Sequence, residues 1–406
     1  MPFLSTASSA ERRALLASTL GWMLDGMDVT LYAMVITELL RELQLTTAQA
    51  GLLASITLIA SAAGGILFGI AADRIGRRRA LMASILVYSV FTAACGFSRT
   101  VVELAAFRFL LGLGMGGEWA TGAALVAETW RPEHRAKALG IMQSGFAIGY
   151  ALAAATTALV LPRWGWRAVF FVGILPALAT LWIRRGVRES PLWLARDSRP
   201  RDRISPLRNL LAAPYRRLVL ITLLMNSAAL FAWWGLFTWI PPYLALPIGQ
   251  GGRGLTIAAS SLWIIVMQAG MWLGYVSFGF ISDALGRKKT YVAYLLLAAA
   301  LVPLYARAGA ASALLVLGPL LAFFGTGHFT GFGVITSELF PTSFRASAMG
   351  LTYNFGRALS AAAPWLLGAV AARGSLSSAF WISGLAFLLA GLIGLAVPET
   401  KGRSLA

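Results

Sequence analysis

The sequence predicts an all-α membrane protein with twelve transmembrane helices arranged in two pseudo-symmetric six-helix bundles. Three observations support this: the composition, a series of long apolar segments, and an internal repeat. Of the 406 residues, 58% are hydrophobic and only 12% are charged, whereas soluble domains carry about 25% charged residues. A chain with so few charges is expected to fold within a lipid bilayer.

Twelve apolar segments are long enough to cross a bilayer, for which a helix needs roughly 20 residues. Several contain Gly or Pro, which are more frequent in spanning helices than in soluble ones. The first follows Arg12 and Arg13 but is too long for the apolar core of a cleavable signal, so we expect it to stay in the protein. The segments are 14–38, 48–72, 80–98, 101–126, 138–160, 166–184, 217–245, 257–281, 290–307, 311–336, 347–371 and 377–397.

The net charge of +18 could indicate a nucleic-acid partner, but the basic residues are distributed as in a membrane protein. Most of the 34 Lys and Arg residues lie in segments expected on one side of the bilayer. This asymmetry follows the positive-inside rule and predicts that both termini are cytoplasmic. The basic segments are the two termini and the loops 73–79, 131–137, 185–216, 282–289 and 338–346.

An internal repeat relates the two halves of the chain. GIAADRIGRRR at 69–79 matches GFISDALGRKK at 279–289, an offset of 210 residues. The same offset relates Glu128 to Glu338, Arg135 to Arg345 and Glu189 to Glu399. A constant offset across separate motifs indicates duplication of one structural unit. We therefore predict an N-terminal bundle over 1–184, a basic cytoplasmic central loop over 185–216 and a C-terminal bundle over 217–406.

The repeated loop pattern G-x-x-x-D-R-x-G-R-R resembles the signature of the major facilitator superfamily, whose members are transporters built from two such halves. The resemblance covers essentially the whole chain. It implies a cytoplasmic gating network of charges that holds the halves together in the outward-open state, although the basic residues also serve as topology anchors. The implied network comprises Gly69, Asp73, Arg74, Arg77, Glu128, Arg135, Glu189, Asp283, Arg287, Glu338, Arg345 and Glu399.

Two carboxylates stand in the first apolar segment, within GWMLDGMDVTLYAM at 21–34. An Asp at the centre of a spanning helix costs about 2.5–3.5 kcal/mol, so Asp25 and Asp28 are functional candidates that need a partner. Arg108 in the fourth segment is the predicted partner. Proton-coupled members of the superfamily use a helix-1 Asp and a helix-4 Arg, and G-M-D at 26–28 resembles their G-x-D. A carboxylate separated from its Arg takes up a proton; a static ion pair is the alternative.

Glu118 and His328 are related by the same offset of 210. Glu118 is predicted to be a second proton site or part of the binding cavity. His328 could titrate near physiological pH, or it could serve only as a hydrogen-bonding residue between helices.

The predicted substrate is a small organic anion. Arg357 in YNFGR falls near the bilayer midplane with Asn354 on the same helix face, and a buried guanidinium grips a carboxylate in a bidentate manner. Trp233 and Phe237, four residues apart, are expected to form cavity walls. Tyr353, Gln143 and His328 complete the predicted binding set.

The motifs LDGMD, GMGGEW and YNFGR together resemble the sialate and lactate:proton symporter group and the related aromatic-acid:proton symporters. The resemblance implies uptake by alternating access with protons as the coupling ion and no other cofactor. A carrier of a sugar, of a nicotinate-like or cationic metabolite, a drug exporter and a non-transporting sensor remain alternatives. We expect a monomer in a bacterial inner membrane, without nucleic acid. The sequence carries no nucleotide loop or catalytic triad, and the single Cys95 excludes a Cys-rich metal site, so we expect no enzyme.

Overall fold

The first half of the chain consists of long helices joined by short turns. The structure is a computed structural model that describes residues 7–178, 182, 186, 189, 194, 213–340 and 345–401. The predicted central loop therefore lies almost entirely outside the described residues. The first-half helices are α1 (Ser9–Glu42), α2 (Thr47–Ile75), α3 (Arg77–Cys95), α4 (Val101–Thr129) and α5 (Pro132–Val172).

The second half repeats this pattern. Adding 210 to the bounds of α2 and α4 reproduces the bounds of the second-half helices α7 and α9. The sequence repeat is therefore a structural repeat. The second-half helices are α6 (Ala213–Ala245), α7 (Ile257–Leu285), α8 (Arg287–Arg307), α9 (Ala311–Leu339), α10 (Arg345–Ser360), α11 (Ala362–Arg373) and α12 (Leu376–Gly394).

Nine helical runs within the described residues are long and apolar enough to cross a membrane. The run Lys137–Leu178 contains both the fifth predicted segment and the start of the sixth. Only Gly165, with φ of 73°, interrupts the helix between them. The eleventh predicted segment corresponds to α10 and α11 together, broken at Ala361. α1 and α4 are not among these nine runs, and the two helices carry four of the five buried charges described below.

The two repeats form matching contacts at one end of the helices, which we call the basic face. The backbone N–H of Arg77 donates to Glu189 at 2.9 Å, and that of Arg287 donates to Glu399 at 2.8 Å. Gly76 and Gly286 precede these arginines with φ of 99° and 106°, conformations that L side chains rarely adopt. A Cβ at Gly76 would also lie 2.2 Å from the Glu189 carboxylate. Backbone conformation thus requires glycine at both positions, and a side chain at Gly76 would also displace the Glu189 carboxylate.

Acidic residues at the ends of α4 and α9 complete this arrangement. Arg77 pairs with Glu128 at 3.0 Å, and Arg287 contacts Glu338 at 3.4 Å and also pairs with Asp283. Partial burial would raise the pKa of Glu399, but hydrogen bonds from backbone N–H groups, including that of Arg287, outweigh it and lower that pKa.

The described ion pairs on the basic face join residues of the same half. Arg74 is exposed, and the side chains of Asp73, Arg135 and Arg345 lie outside the described part of the chain. The predicted network between the halves therefore stays a prediction.

The halves pack tightly at the other end of the helices, the opposite face. The Thr47 hydroxyl donates to the carbonyl of Gly368 at 2.7 Å, and a Cβ at Gly51 would lie 2.3 Å from the carbonyl oxygen of Pro364. Nearer the basic face, α2 and α10 leave open space: a Cβ at Gly69 of α2 or at Gly350 of α10 would meet no described atom within 4 Å. The described contacts thus close the structure at the opposite face.

Candidate functional site

A cluster of buried charges occupies the middle of the helices. Its five members are each at most 1% exposed, although an unpaired charge is costly to remove from water. Ionisable groups at this depth mark functional sites in membrane proteins. The cluster contains three carboxyl groups and two guanidinium groups: Asp25, Asp28, Glu118, Arg108 and Arg357.

Arg357 joins the two halves. Its Nη1 donates to the hydroxyl of Ser61 in α2 at 2.9 Å, whereas its Nε has no hydrogen-bond partner among the described residues. The guanidinium is also close enough to Asp25 and Glu118 to attract both carboxylates. Arg357 therefore has an N–H group without a partner among the described residues, and its positive charge attracts the two first-half carboxyl groups.

Glu118 lies against the backbone of α1. A Cβ at Gly21 would lie 2.5 Å from its Oε1, so a side chain at this position would displace the carboxylate. Neither carboxylate oxygen has a hydrogen-bond partner within the described residues. Glu118 is thus buried against the first helix, and its predicted role as a second proton site or part of the binding cavity stays a prediction.

The predicted ion pair between Asp28 and Arg108 is not formed in this structure. Arg108 instead stacks its guanidinium over the ring of Tyr32 at 3.7 Å and donates from Nε to the carbonyl of Leu53 at 3.0 Å. Asp28 is close to Thr92 and Cys95 of α3, and both of its oxygens lack a hydrogen-bond partner in the described residues. Since the aromatic face and the carbonyl occupy Arg108, the sequence prediction was wrong about this pair in the state described here.

An aromatic layer closes the cluster on the side of the basic face. The rings of Trp119 in α4 and Tyr353 in α10 stack with centroids 4.3 Å apart and an angle of 17°. The Trp119 indole also donates to Gln143 at 3.1 Å. Beside this layer, Asn354 approaches α2, where a Cβ at Gly65 would lie 2.8 Å from its Oδ1. The aromatic layer consists of the stacked rings of Trp119 and Tyr353 together with Gln143, which accepts the hydrogen bond from Trp119.

A second group of aromatic rings lies where α6 of the second half meets the first half. Trp233 stacks on Phe237 with centroids 5.0 Å apart, and its indole donates to Thr326 at 3.1 Å. Phe146 of α5 contacts Trp233 edge-on at 5.5 Å. Trp233 and Phe237 both line a small cavity, and their predicted role as walls of the binding cavity stays a prediction.

His328 lies among aromatic side chains of the second half. Its ring packs against Phe329 at 4.4 Å and against Tyr291 and Phe387 at about 6 Å, all within the second half. Although the offset relates it to Glu118, its ring contacts are with second-half core residues.

Sequence reasoning missed Ser61 and Trp119. Ser61 has no distinguishing motif, and its role arises from the approach of Arg357 from the other half. Trp119 directly follows Glu118 in GMGGEW, so its position beside a candidate site residue was an available signal.

A cavity of about 350 Å³ lies between the halves near the opposite face; it is lined by α1, α5, α6 and α7 and lies outside the contact of α2 with α11. Thr37 and Glu38 line it from the first half, and Thr256 and Ser261 line it from the second. The described residues contain no group of three or more His, Cys, Asp or Glu side chains that could hold a metal ion.

The comparisons with known proteins agree with this architecture. The sequence model of the Major Facilitator Superfamily matches residues 19–278 and 250–405. The chain is 31% identical to the sialic acid transporter NanX of Escherichia coli over 96% of this chain and 95% of that protein. It is 30% identical to the cis,cis-muconate transport protein of Acinetobacter baylyi over 94% and 92%. The crystal structure of a D-xylose-proton symporter superposes with a TM-score of 0.77 at 20% identity, covering 98% of this chain and all of that one.

Proposed function

The chain belongs to the Major Facilitator Superfamily and is an integral membrane transporter, and we propose that it couples proton entry to the uptake of a small organic anion. The observation that carries the proposal is Arg357, a buried cation between the halves with unused donor capacity beside two carboxylates. Related proteins that transport sialic acid and cis,cis-muconate support an acidic substrate. The site lies between the halves near the midplane, as alternating access requires.

The charge balance of the cluster favours coupling. Three buried carboxyl groups face two guanidinium groups, so the fully ionised cluster carries one excess negative charge. An organic anion would add another, and the cluster must then take up protons before it can close around the substrate. The anion and the proton therefore move together.

Arg357 supplies the link between the two ligands. Its positive charge attracts the carboxyl groups of Asp25 and Glu118, and this attraction opposes the desolvation that burial imposes on their charged forms. A substrate carboxylate bound to the guanidinium neutralises that charge, so one of the acids takes a proton as the substrate binds. Asp28, one helical turn from Asp25, receives or passes on this proton.

The closed opposite face gives the described state a direction. We propose that the basic face is cytoplasmic, following the positive-inside rule, so that this state faces inward. The aromatic layer then separates the occupied site from the cytoplasm, and its rings part to release the substrate. The location proposed for the protein is a bacterial inner membrane with both termini in the cytoplasm.

Uptake by the purified protein in proteoliposomes tests the proposal. The panel is N-acetylneuraminate, cis,cis-muconate, nicotinate, D-xylose and choline, each labelled and offered with an inward proton gradient. We expect concentrative uptake of at least one acid, abolished when a protonophore collapses the gradient. Uptake of D-xylose or choline in preference to every acid would refute the anion assignment.

Arg357→Gln is the matching variant. It keeps a hydrogen-bond donor for Ser61 but removes the charge, so acid uptake should fall by at least about tenfold because a charge-assisted bidentate contact is lost. Arg307→Gln, which removes a charge near the opposite face, is the control and should transport normally. Equal acid uptake by the wild type and Arg357→Gln would exclude Arg357 as the anion-binding group.

A further inference from the structure

Arg108 is a buried cation that no carboxylate neutralises in this structure. It is 1% exposed, and its Nη1 has no hydrogen-bond partner within the described residues. Its described contacts are the ring of Tyr32 and the carbonyl of Leu53, both electron-rich but uncharged. Arg357, by contrast, acts on two nearby acids. Of the two buried guanidinium groups, Arg108 is thus the one with its charge left uncompensated.

Arg108 lines a small cavity between the halves. The cavity has a volume of about 20 Å³, enough for a single water molecule. The first half contributes Arg108, Thr57 and Tyr150 to its lining, and α6 of the second half contributes Trp233 and Phe237. A cation, a hydroxyl and flat aromatic surfaces therefore converge on one space.

Arg108 and Arg357 lie at different depths in the membrane. Arg108 is seven residues from the start of α4 at the opposite face, or about 10 Å along the helix axis. Arg357 is twelve residues from the start of α10 at the basic face, or about 18 Å. A solute that enters from the opposite face would meet Arg108 first.

We propose that Arg108 forms a second carboxylate-binding station, nearer the opposite face than Arg357, for acids that carry a flat apolar body. The guanidinium binds the carboxylate through Nη1, and the stacked pair Trp233–Phe237, with ring centroids 5.0 Å apart, packs against the body of the ligand. This inference rests on the proposed function and extends it by assigning the entry site and the shape of the substrate.

The small volume of the cavity follows from closure at the opposite face. Trp233 and Phe237 belong to the second half, whereas Arg108 belongs to the first. The hydroxyl of Tyr150 in the first half donates to the carbonyl of Phe237 at 2.9 Å and holds the two sides together. Separation of the halves at this face breaks that hydrogen bond and widens the cavity around Arg108.

Matched pairs of acids and amides test the proposal, since they share a body and differ in charge. Binding of benzoate and benzamide, and of nicotinate and nicotinamide, is measured on the purified protein in nanodiscs. The wild type should bind each acid more tightly than its amide. In an Arg357→Gln background, which removes the other proposed carboxylate site, Arg108→Gln should weaken binding of the acid by at least about tenfold and leave the amide within about twofold, because only the charged contact is lost.

Two further variants complete the design. Arg108→Lys keeps the charge without the bidentate geometry and should fall between the wild type and Arg108→Gln. Phe237→Leu should weaken both the acid and the amide, since it removes the aromatic surface. Arg163→Gln, at an exposed arginine of the opposite face, is the control for general electrostatic attraction and should change neither.

The outcomes separate the two proposals. Unchanged acid binding in Arg108→Gln, or equal loss of acid and amide, would overturn the station at Arg108 and leave the proposed function intact. A wild type that binds neither acid more tightly than its amide would contradict anion binding itself, and the inference with it. If Arg108→Gln does not fold, as judged by its melting temperature, the acid and amide affinities of Arg108→Lys and Phe237→Leu test the proposal instead.

Discussion

Gly51 controls closure at the opposite face, and its substitution should shift the protein toward the state open at that face. In the described state a Cβ at Gly51 would lie 2.3 Å from the carbonyl oxygen of Pro364 and 2.8 Å from two further backbone atoms. A backbone cannot move aside as the tip of a side chain can. Gly51→Val therefore forces α2 and α11 apart in this state only.

The size of the shift follows from these distances. Relief to an ordinary contact of about 3.4 Å requires a separation of roughly 1 Å, and overpacking of this kind costs about 1–3 kcal/mol. At 1.4 kcal/mol for each factor of ten, the equilibrium should move about 5- to 150-fold away from the closed opposite face. Gly69 lies in the same helix with no atom within 4 Å of its Cβ position. Gly69→Val is therefore the matched control, with no cost in the described state.

Distances between spin labels provide the assay. Labels at Gln49 and Arg373, both exposed at the opposite face of different halves, report its opening. Cys95 is buried and is replaced by Ala to prevent stray labelling. Gly51→Val should lengthen the main distance and Gly69→Val should not. If a folded Gly51→Val variant shows the wild-type distance distribution, the packing of α2 against α11 does not close this face.

Three further predictions follow from the site and the basic face. Asp28→Asn should abolish accumulation driven by a proton gradient but retain counterflow exchange of labelled substrate, since exchange needs no net proton movement; accumulation by this variant would exclude Asp28 as the carrier. Trp119→Ala removes a stacked pair worth about 0.5–1.5 kcal/mol and should speed substrate release at the basic face by about 2- to 10-fold, whereas Trp119→Phe should not; identical efflux rates in both would show that the stack does not restrain release. The folded state lowers the pKa of Glu399. The Glu399 carboxylate therefore stabilises the turn before Arg287 at pH values above the ordinary glutamate pKa, and this stabilisation is lost as the pH falls through the lowered pKa. The protection factor of the Arg287 amide, which corrects exchange for its intrinsic dependence on pH, should therefore fall on acidification in the wild type but stay low at every pH in Glu399→Gln. A wild-type protection factor that does not change with pH would contradict this.

The architecture was predictable because its signals are repeated and local. Length of apolar runs and the offset of 210 residues located the helices, and the matching contacts of Arg77 and Arg287 show how closely the two repeats agree. The break at Ala361 was not predicted, since the apolar pattern continues through it. The extent of α1 was underestimated because its capping box at Ser8 and Glu11 lies in a polar stretch outside the apolar run.

The members of the site could be predicted, but not all of their pairings. Asp25, Glu118 and Arg357 are exceptional by sequence alone because charges are rare in apolar segments. Which acid meets which arginine depends on helix rotation and on uncharged competitors. Tyr32 and Leu53 take the contacts of Arg108, and Ser61 meets Arg357 from the other half. No spacing rule encodes such contacts between distant helices.

Coupled movement of a proton and an organic anion is the central claim, and proton uptake on substrate addition tests it most directly. cis,cis-Muconate or N-acetylneuraminate is added to weakly buffered proteoliposomes without an imposed gradient, and the external pH is recorded. We expect the medium to become more alkaline as the acid enters, with no change for Asp28→Asn. Entry of either acid through the wild-type protein with no change in external pH would contradict proton coupling.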